Sequence, residues 1–149
     1  MIRFNNDYNH GAHPEILEAL SAVNDNSFGG YGEDEWCKKA ADLIRERVHC
    51  PDAAIHFFPG ATQANFIVIA SALSSVQSVI AADTGHINCH EAASVENTNH
   101  KIQTIPNTDG KITATQIDAC AGAYYEENEP EYYTEPKMVY LSFPTEQGT

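Results

Sequence analysis

The sequence predicts an α/β fold, an incomplete and mainly parallel sheet with flanking helices. Two observations point to it. Four short apolar runs, at 54–58, 78–82, 101–105 and 137–143, alternate with segments of helical periodicity. Three of those runs end in small or polar loops, as the crossover connections of a parallel sheet require.

The elements follow in order. Residues up to Gly11 are polar and turn-like, with Asn5, Asn6 and Asp7. A helix is predicted from His13-Pro14, because a proline in the first turn gives up an N–H that has no partner there anyway. Its apolar stripe is Ile16, Leu17, Leu20 and Val23. Residues 24–32 break the pattern, with three glycines in the four positions 29–32. A second helix is predicted over 34–48, with Trp36, Ala40, Leu43, Ile44 and Val48 on one face and acidic residues at its start. The run 54–58 predicts a short buried strand and 62–74 an apolar helix. Residues 78–82 predict a second strand, 86–95 a helix, and 101–105 a third strand. Pro106 to Gly110 is a strong turn. A short helix is predicted over 114–122 and a solvated acidic loop over 124–135, followed by a fourth strand at 137–143. A turn comes directly after it, so the sheet lacks a closing element. The chain is therefore expected to be the front part of a larger protein, with an N-terminal arm and helices in 1–50 and the first part of an α/β domain in 51–149.

Composition narrows the function classes. The 149 residues are 42% hydrophobic and 19% charged, a globular balance. The net charge of −13, from 21 acidic and 8 basic residues, argues against nucleic acid, whose binding rests on lysine and arginine at phosphates. No apolar run approaches the roughly 18 residues that span a bilayer, and the first residues lack an apolar signal core. No membrane partner and a cytoplasmic location are the expectation. Cys37, Cys50, Cys89 and Cys120 form no C-x-x-C pair and are expected to be free, mostly buried thiols.

Ligands of open α/β sheets sit beyond the carboxyl ends of the strands. Those ends carry Pro59-Gly60-Ala61-Thr62, Asp83-Thr84-Gly85-His86 and Pro144-Thr145-Glu146. The first opens a helix. It aims backbone N–H groups and the positive end of a helix dipole at one point, where a phosphate fits. Gly60 permits a tight turn and close approach, and Thr62 can cap the helix and donate its hydroxyl. No lysine follows, so this is not a triphosphate loop of the Gly-Lys-Ser/Thr kind. His86 is placed to stack on an aromatic cofactor or to exchange protons. His86 and His90, four apart beside Glu91, could suggest a metal. The metalloprotease pattern needs a glutamate where Ile87 stands, so no metal is assigned. Tyr31 is a phenol on a glycine-rich loop, able to reach into a site of its own or of a neighbouring subunit.

Taken together these stretches resemble the N-terminal part of the threonine aldolases, in the β-eliminating lyase group of pyridoxal-phosphate enzymes. The matches are Asn6-Asp7, Tyr31-Gly32-Glu33-Asp34, Phe58 to Asn65, Asp83 to Ile87 with Glu91, and the strand at 138–143 followed by Thr145-Glu146. They stand in the right order and cover most of residues 3–149. The resemblance implies the first part of an aminotransferase-like major domain of fold type I. It implies a homodimer or homotetramer with sites at subunit interfaces, and a small amino acid substrate. Gly60, Ala61 and Thr62 would hold the cofactor phosphate. His86 would stack on the pyridine ring and act in proton transfer. Asn6 and Tyr31 would lie near the substrate, Tyr31 also acting as a catalytic group in the adjoining subunit's site, with Glu91 and Asp7 in support. Ala61 stands where the family usually has glycine, and Asn6 where it has serine.

The implied reaction cleaves β-hydroxy-α-amino acids, threonine to glycine and acetaldehyde. That chemistry also needs a cofactor-linking lysine, an acidic partner for the pyridine nitrogen and a carboxylate-binding arginine. In such enzymes these lie downstream of residue 149. Lys38, Lys39, Lys101, Lys111 and Lys137 sit on an exposed helix face or beside polar turns. The chain alone is therefore expected to be inactive. The alternatives are another enzyme of the same fold, an aminotransferase or desulfurase, and a non-catalytic acidic interaction protein.

Overall fold

The computed structural model describes residues 11–149, so Asn6 and Asp7 lie outside the described residues. The chain separates into two compact units, one ending at Phe57 and one beginning at Phe58.

In the first unit, helix α1 spans Pro14–Val23 and helix α2 spans Glu35–Arg47. Pro14 opens α1 as its sequence position predicts, and the His13 ring accepts the Glu15 N–H at 3.4 Å. Asp34 caps α2, one carboxylate oxygen accepting the N–H groups of Trp36 and Cys37, each at 2.9 Å. The Cys37 side chain first, and then these backbone bonds, hold the Asp34 carboxyl below the usual carboxylate range. At the far end, Arg45 Nε donates to the Ala53 carbonyl at 2.9 Å and ties the following turn to the helix. The apolar stripes form but are not covered. Ile16, Leu17 and Leu20 are each more than half exposed, as are Leu43 and Val48, and Ala41 is the buried residue of α2. The run 54–58 forms no strand. A β-strand exists only when its backbone groups pair with a neighbour, and no described strand pairs with this run.

In the second unit, helix α3 spans Ala61–Ala72, strand β1 Gln77–Ala82 and strand β2 Lys101–Ile105. Between the two strands lies a single helical turn, α4, over His86–Cys89. Helix α5 covers Ala114–Tyr125 and strand β3 Glu135–Val139. Among the described residues the sheet has three strands rather than four, in the order β2-β1-β3, and both pairings are parallel. β1 is central because it is the most apolar strand, buried at five of its six positions. Val79 pairs with Ile102 on one side and Met138 on the other. The β3 ladder is irregular between Ser78 and Val79, which pair with Pro136 and Met138 and leave Lys137 unmatched. Pro136 has no N–H to donate, and an edge strand tolerates that interruption.

One face of β1 carries the main core. Val79 and Ala81 pack with Ile69 and Leu73 of α3, and with Ile87 and Val95 of the β1–β2 connection. The other face is partly polar. Buried Ser78 accepts from Gln103 Nε2 at 2.6 Å, and Gln103 also donates to the Thr134 carbonyl at 3.0 Å. A buried hydroxyl requires such a partner. α5 opens with a capping box, in which Thr113 and Gln116 satisfy each other's backbone N–H groups. It runs three residues past the expected end at 122, so part of the expected acidic loop is helical.

The cysteines are free, but none is buried: Cys50 and Cys89 are exposed, Cys37 and Cys120 intermediate. The expectation of mostly buried thiols is thus corrected, because the helix faces that bear Cys37 and Cys120 are only partly covered.

Candidate active site

The site lies at the carboxyl end of β1, where the chain turns from Ala82 through Gly85 into α4. Gly85 is required there by space. A Cβ on it would stand 3.0 Å from the Ala82 carbonyl oxygen and 3.4 Å from the Ala81 side chain. The turn is closed by the Gly85 N–H on the same carbonyl, at 2.8 Å. His86 follows as the first residue of α4.

The helix expected over 86–95 ends after one turn. Ala92 and Ala93 adopt left-handed φ values of 50° and 60°, which α-helix cannot continue. The early ending has a consequence. Residues five apart on an α-helix point to different faces, yet Glu91 Oε1 reaches His86 Nδ1 at 2.7 Å. The same oxygen accepts the Asn65 side-chain N–H at 2.5 Å, and Glu91 Oε2 accepts the Ser94 hydroxyl at 3.0 Å. The Glu91 side chain has no exposed surface, whereas the His86 ring is 36% exposed. His90 lies near, its ring centroid 5.5 Å from that of His86. Among the described residues no group of three histidine, cysteine or acidic side chains is arranged to hold a metal.

Helix α3 begins beside this network in sequence. Its N-cap is Gly60, not Thr62, and no side chain caps it. Thr62 is the second helical residue, so the expected capping role is corrected. The Gly60 backbone is extended, with φ −166°, a conformation open to any residue, and a Cβ there would meet nothing within 4 Å. The expected need for a tight turn is likewise not met, and only close approach of a ligand remains as a reason for glycine. α1, α2 and α5 all bear side-chain caps. The first N–H groups of α3 have no such partner, so its positive dipole end is open to an anion. In the same first turn, Gln63 Oε1 is buried without a hydrogen-bond partner among the described residues.

Beside the Gly85 turn the loops after β1, β2 and β3 enclose a cleft that neither His86 nor the start of α3 lines. Asp83 Oδ1 accepts both the backbone and side-chain N–H groups of Asn107. Those bonds, the side-chain one foremost, hold its carboxyl below the usual range. The Asp83 carbonyl accepts from Asn88 Nδ2 at 2.7 Å and from the Cys89 thiol at 3.1 Å, which anchors α4. A cleft of about 340 Å³ opens here, lined by Thr84, Gly85, Lys111, Tyr140, Ser142 and Glu146 among others. A cleft at strand ends is the position ligands take in parallel sheets.

The structure brings His86 and Glu91 together and joins them to α3 through Asn65. Asn65, Ser94, Asp83 and Asn107 were not singled out by sequence. Asn65 lies in the Phe58–Asn65 stretch, but its partner stands 26 positions away, and no local pattern announces that pairing. Tyr31 belongs to the first unit. It is fully exposed and holds a left-handed φ of 63°, followed by Gly32 at 79°.

The beta-eliminating lyase family matches residues 7–149. Two low-specificity L-threonine aldolases, from a Pseudomonas species and from Pseudomonas aeruginosa, are each 28% identical over 149 residues. The alignment takes in 99% of this chain and 42% of each relative, so the chain spans less than half their length. The solved structure of Leishmania major threonine aldolase superposes with a TM-score of 0.89 at 42% identity, covering 95% of this chain and 40% of that one. No described helix is long and apolar enough to cross a membrane.

Proposed function

We propose, since this chain belongs to the beta-eliminating lyase family, that the whole protein is a pyridoxal-phosphate lyase that cleaves β-hydroxy-α-amino acids, threonine to glycine and acetaldehyde. The observation that carries this reading is the pairing of His86 Nδ1 with buried Glu91 at the end of β1. It puts a half-exposed imidazole at the strand end.

The residues present fit the cofactor's phosphate end. Gly60, Ala61 and Thr62 supply uncapped helix N–H groups, and nothing crowds Gly60. His86 supplies a flat, partly exposed ring to stack on the pyridine. The bound cofactor supplies the electron sink for the pair released when Cα–Cβ breaks. An ionised Glu91 is an acceptor only, so the hydrogen between it and His86 sits on Nδ1. The neutral ring then has Nε2 as its free acceptor, the atom placed to take the β-hydroxyl proton. Glu91 keeps that atom outward. The acetaldehyde leaves as this proton is transferred, and an equivalent proton is returned to Cα to give glycine.

The cofactor-linking lysine belongs, in this reading, to the part of the protein beyond these residues. A homodimer or homotetramer in the cytoplasm completes the proposal, with Asn6 near the substrate and Asp7 in support. The subunit interface is supported by the exposed side chains of Ile16, Leu17 and Leu20, and by the exposed Tyr31 on its loop. The test is incubation of the whole protein, loaded with pyridoxal phosphate, with threonine and separately with serine. Glycine and acetaldehyde from threonine are expected. Pyruvate and ammonia from serine, with no acetaldehyde from threonine, would replace aldol cleavage by β-elimination. No product from either would sink the lyase reading.

A further inference from the structure

Glu91 is the hub of the site, and two residues outside it decide how its carboxylate faces. We propose that Asn65 and Ser94 are positioning residues that clamp Glu91 as an ionised carboxylate and so fix His86 with its hydrogen on Nδ1 and its lone pair on Nε2. The inference rests on the lyase reading for its purpose but not for its geometry.

A carboxylate buried with no exposed surface keeps its charge only if its oxygens are hydrogen-bonded. Glu91 has three donors for its two oxygens. Asn65 Nδ2 and His86 Nδ1 share Oε1, and the Ser94 hydroxyl takes Oε2. Every one of these partners can donate. With Asn65 and Ser94 on opposite oxygens, the carboxylate plane cannot turn without breaking one of the two bonds. Oε1 is then held toward the imidazole, and the tautomer follows, because the ring nitrogen that meets a carboxylate must carry the hydrogen. Remove the Asn65 donor, and Oε1 keeps one partner in a site that solvent does not reach.

The placement of Asn65 adds a second role. It is the fifth residue of α3, one turn in from the uncapped start at Gly60. The helix whose uncapped N-terminus is open to an anion is thus the helix that orients the imidazole. Asn65 is the one side chain of α3 bonded to the His86 network among the described residues. Its contact joins the two halves of the site by a single hydrogen bond.

The experiment is a long-range proton–nitrogen correlation spectrum of the protein with isotope-labelled histidine, at a pH above the imidazole range, where the rings are neutral. His86 is assigned by comparison with His86→Gln. In the wild type, Nδ1 is expected to be of the protonated, pyrrole type and Nε2 of the bare, pyridine type, opposite to the tautomer that a free histidine side chain favours. Asn65→Leu, which keeps the bulk and removes the donor, and Ser94→Ala are each expected to move His86 toward the free-histidine pattern. Asn65→Asp, which sets a second carboxylate against Glu91, is expected to move it at least as far. The amide spectrum of each variant reports whether it is folded. A wild-type ring with its hydrogen on Nε2 overturns the proposal outright, whatever the variants do. So does a His86 signal unchanged in any folded Asn65 variant. Binding of pyridoxal phosphate to the wild type, measured separately by absorbance, tests the lyase reading. Its failure would remove the purpose of the clamp and leave the nitrogen pattern as measured.

Discussion

Asp83 holds Asn107 through both of the asparagine's N–H donors, so one carboxylate oxygen fixes the loop after β2 to the end of β1. Asn107 in turn accepts the Gly110 N–H at 2.7 Å, and the turn behind it is set. Because the Asp83 carboxyl titrates below its unfolded value, its bonds contribute stability fully above the ordinary carboxylate range. That stability is lost as the pH falls through the lowered native value. Asp83→Asn is expected to be destabilised relative to wild type at neutral pH, with the difference in urea midpoint shrinking in acid. A difference constant across the series would show that the carboxylate's charge is not what matters.

Glu91→Gln keeps the shape of the side chain but sets one N–H₂ group among three donors. Of Asn65, His86 and Ser94, at least one loses its acceptor in a buried site. A loss of about 1–3 kcal/mol is expected from urea denaturation. Glu127→Gln, on an exposed side chain, serves as the comparison and is expected to stay within about 0.5 kcal/mol of wild type.

Gly110 is strained for any other residue on two counts. Its φ is 77°, and a Cβ on it would stand 2.5 Å from Thr145 Oγ1 and 2.7 Å from Thr145 Cβ. Gly110→Ala is expected to cost about 1–3 kcal/mol. Thr145→Gly in the same chain removes the clash but not the left-handed backbone. The double variant should therefore keep a residual cost of about 1 kcal/mol over Thr145→Gly alone. Complete recovery in thermal unfolding would assign the whole effect to the clash.

Gly60→Ala separates folding from binding. The backbone is extended and the space around Cα is empty, so the melting temperature should not fall. If the cofactor phosphate sits against these N–H groups, affinity for pyridoxal phosphate should drop by about tenfold or more. Unchanged affinity would move the phosphate away from the start of α3.

What the sequence by itself determined is what neighbouring residues decide among themselves. Pro14 and Asp34 marked the starts of α1 and α2 because a cap acts within three or four residues. The stretch 101–105 matched β2 because its pattern and its bounding turns are local. Gly85-His86 after an apolar run marked the end of β1 and the start of α4, since both boundaries are set by neighbouring residues. The tertiary structure alone decided the rest. Residues 54–58 carry a strand's composition, but a ladder needs a partner that composition does not supply. The helix expected over 86–95 ends after Cys89, and only that ending lets a buried Glu91 meet His86 and Asn65, 26 positions away. The stripes of α1 and α2 were legible as stripes, whereas their exposure depends on what packs against them. Propensity and capping are short-range terms, and hydrogen-bond satisfaction in a buried site is a long-range one. The chemistry of this site belongs to the second kind.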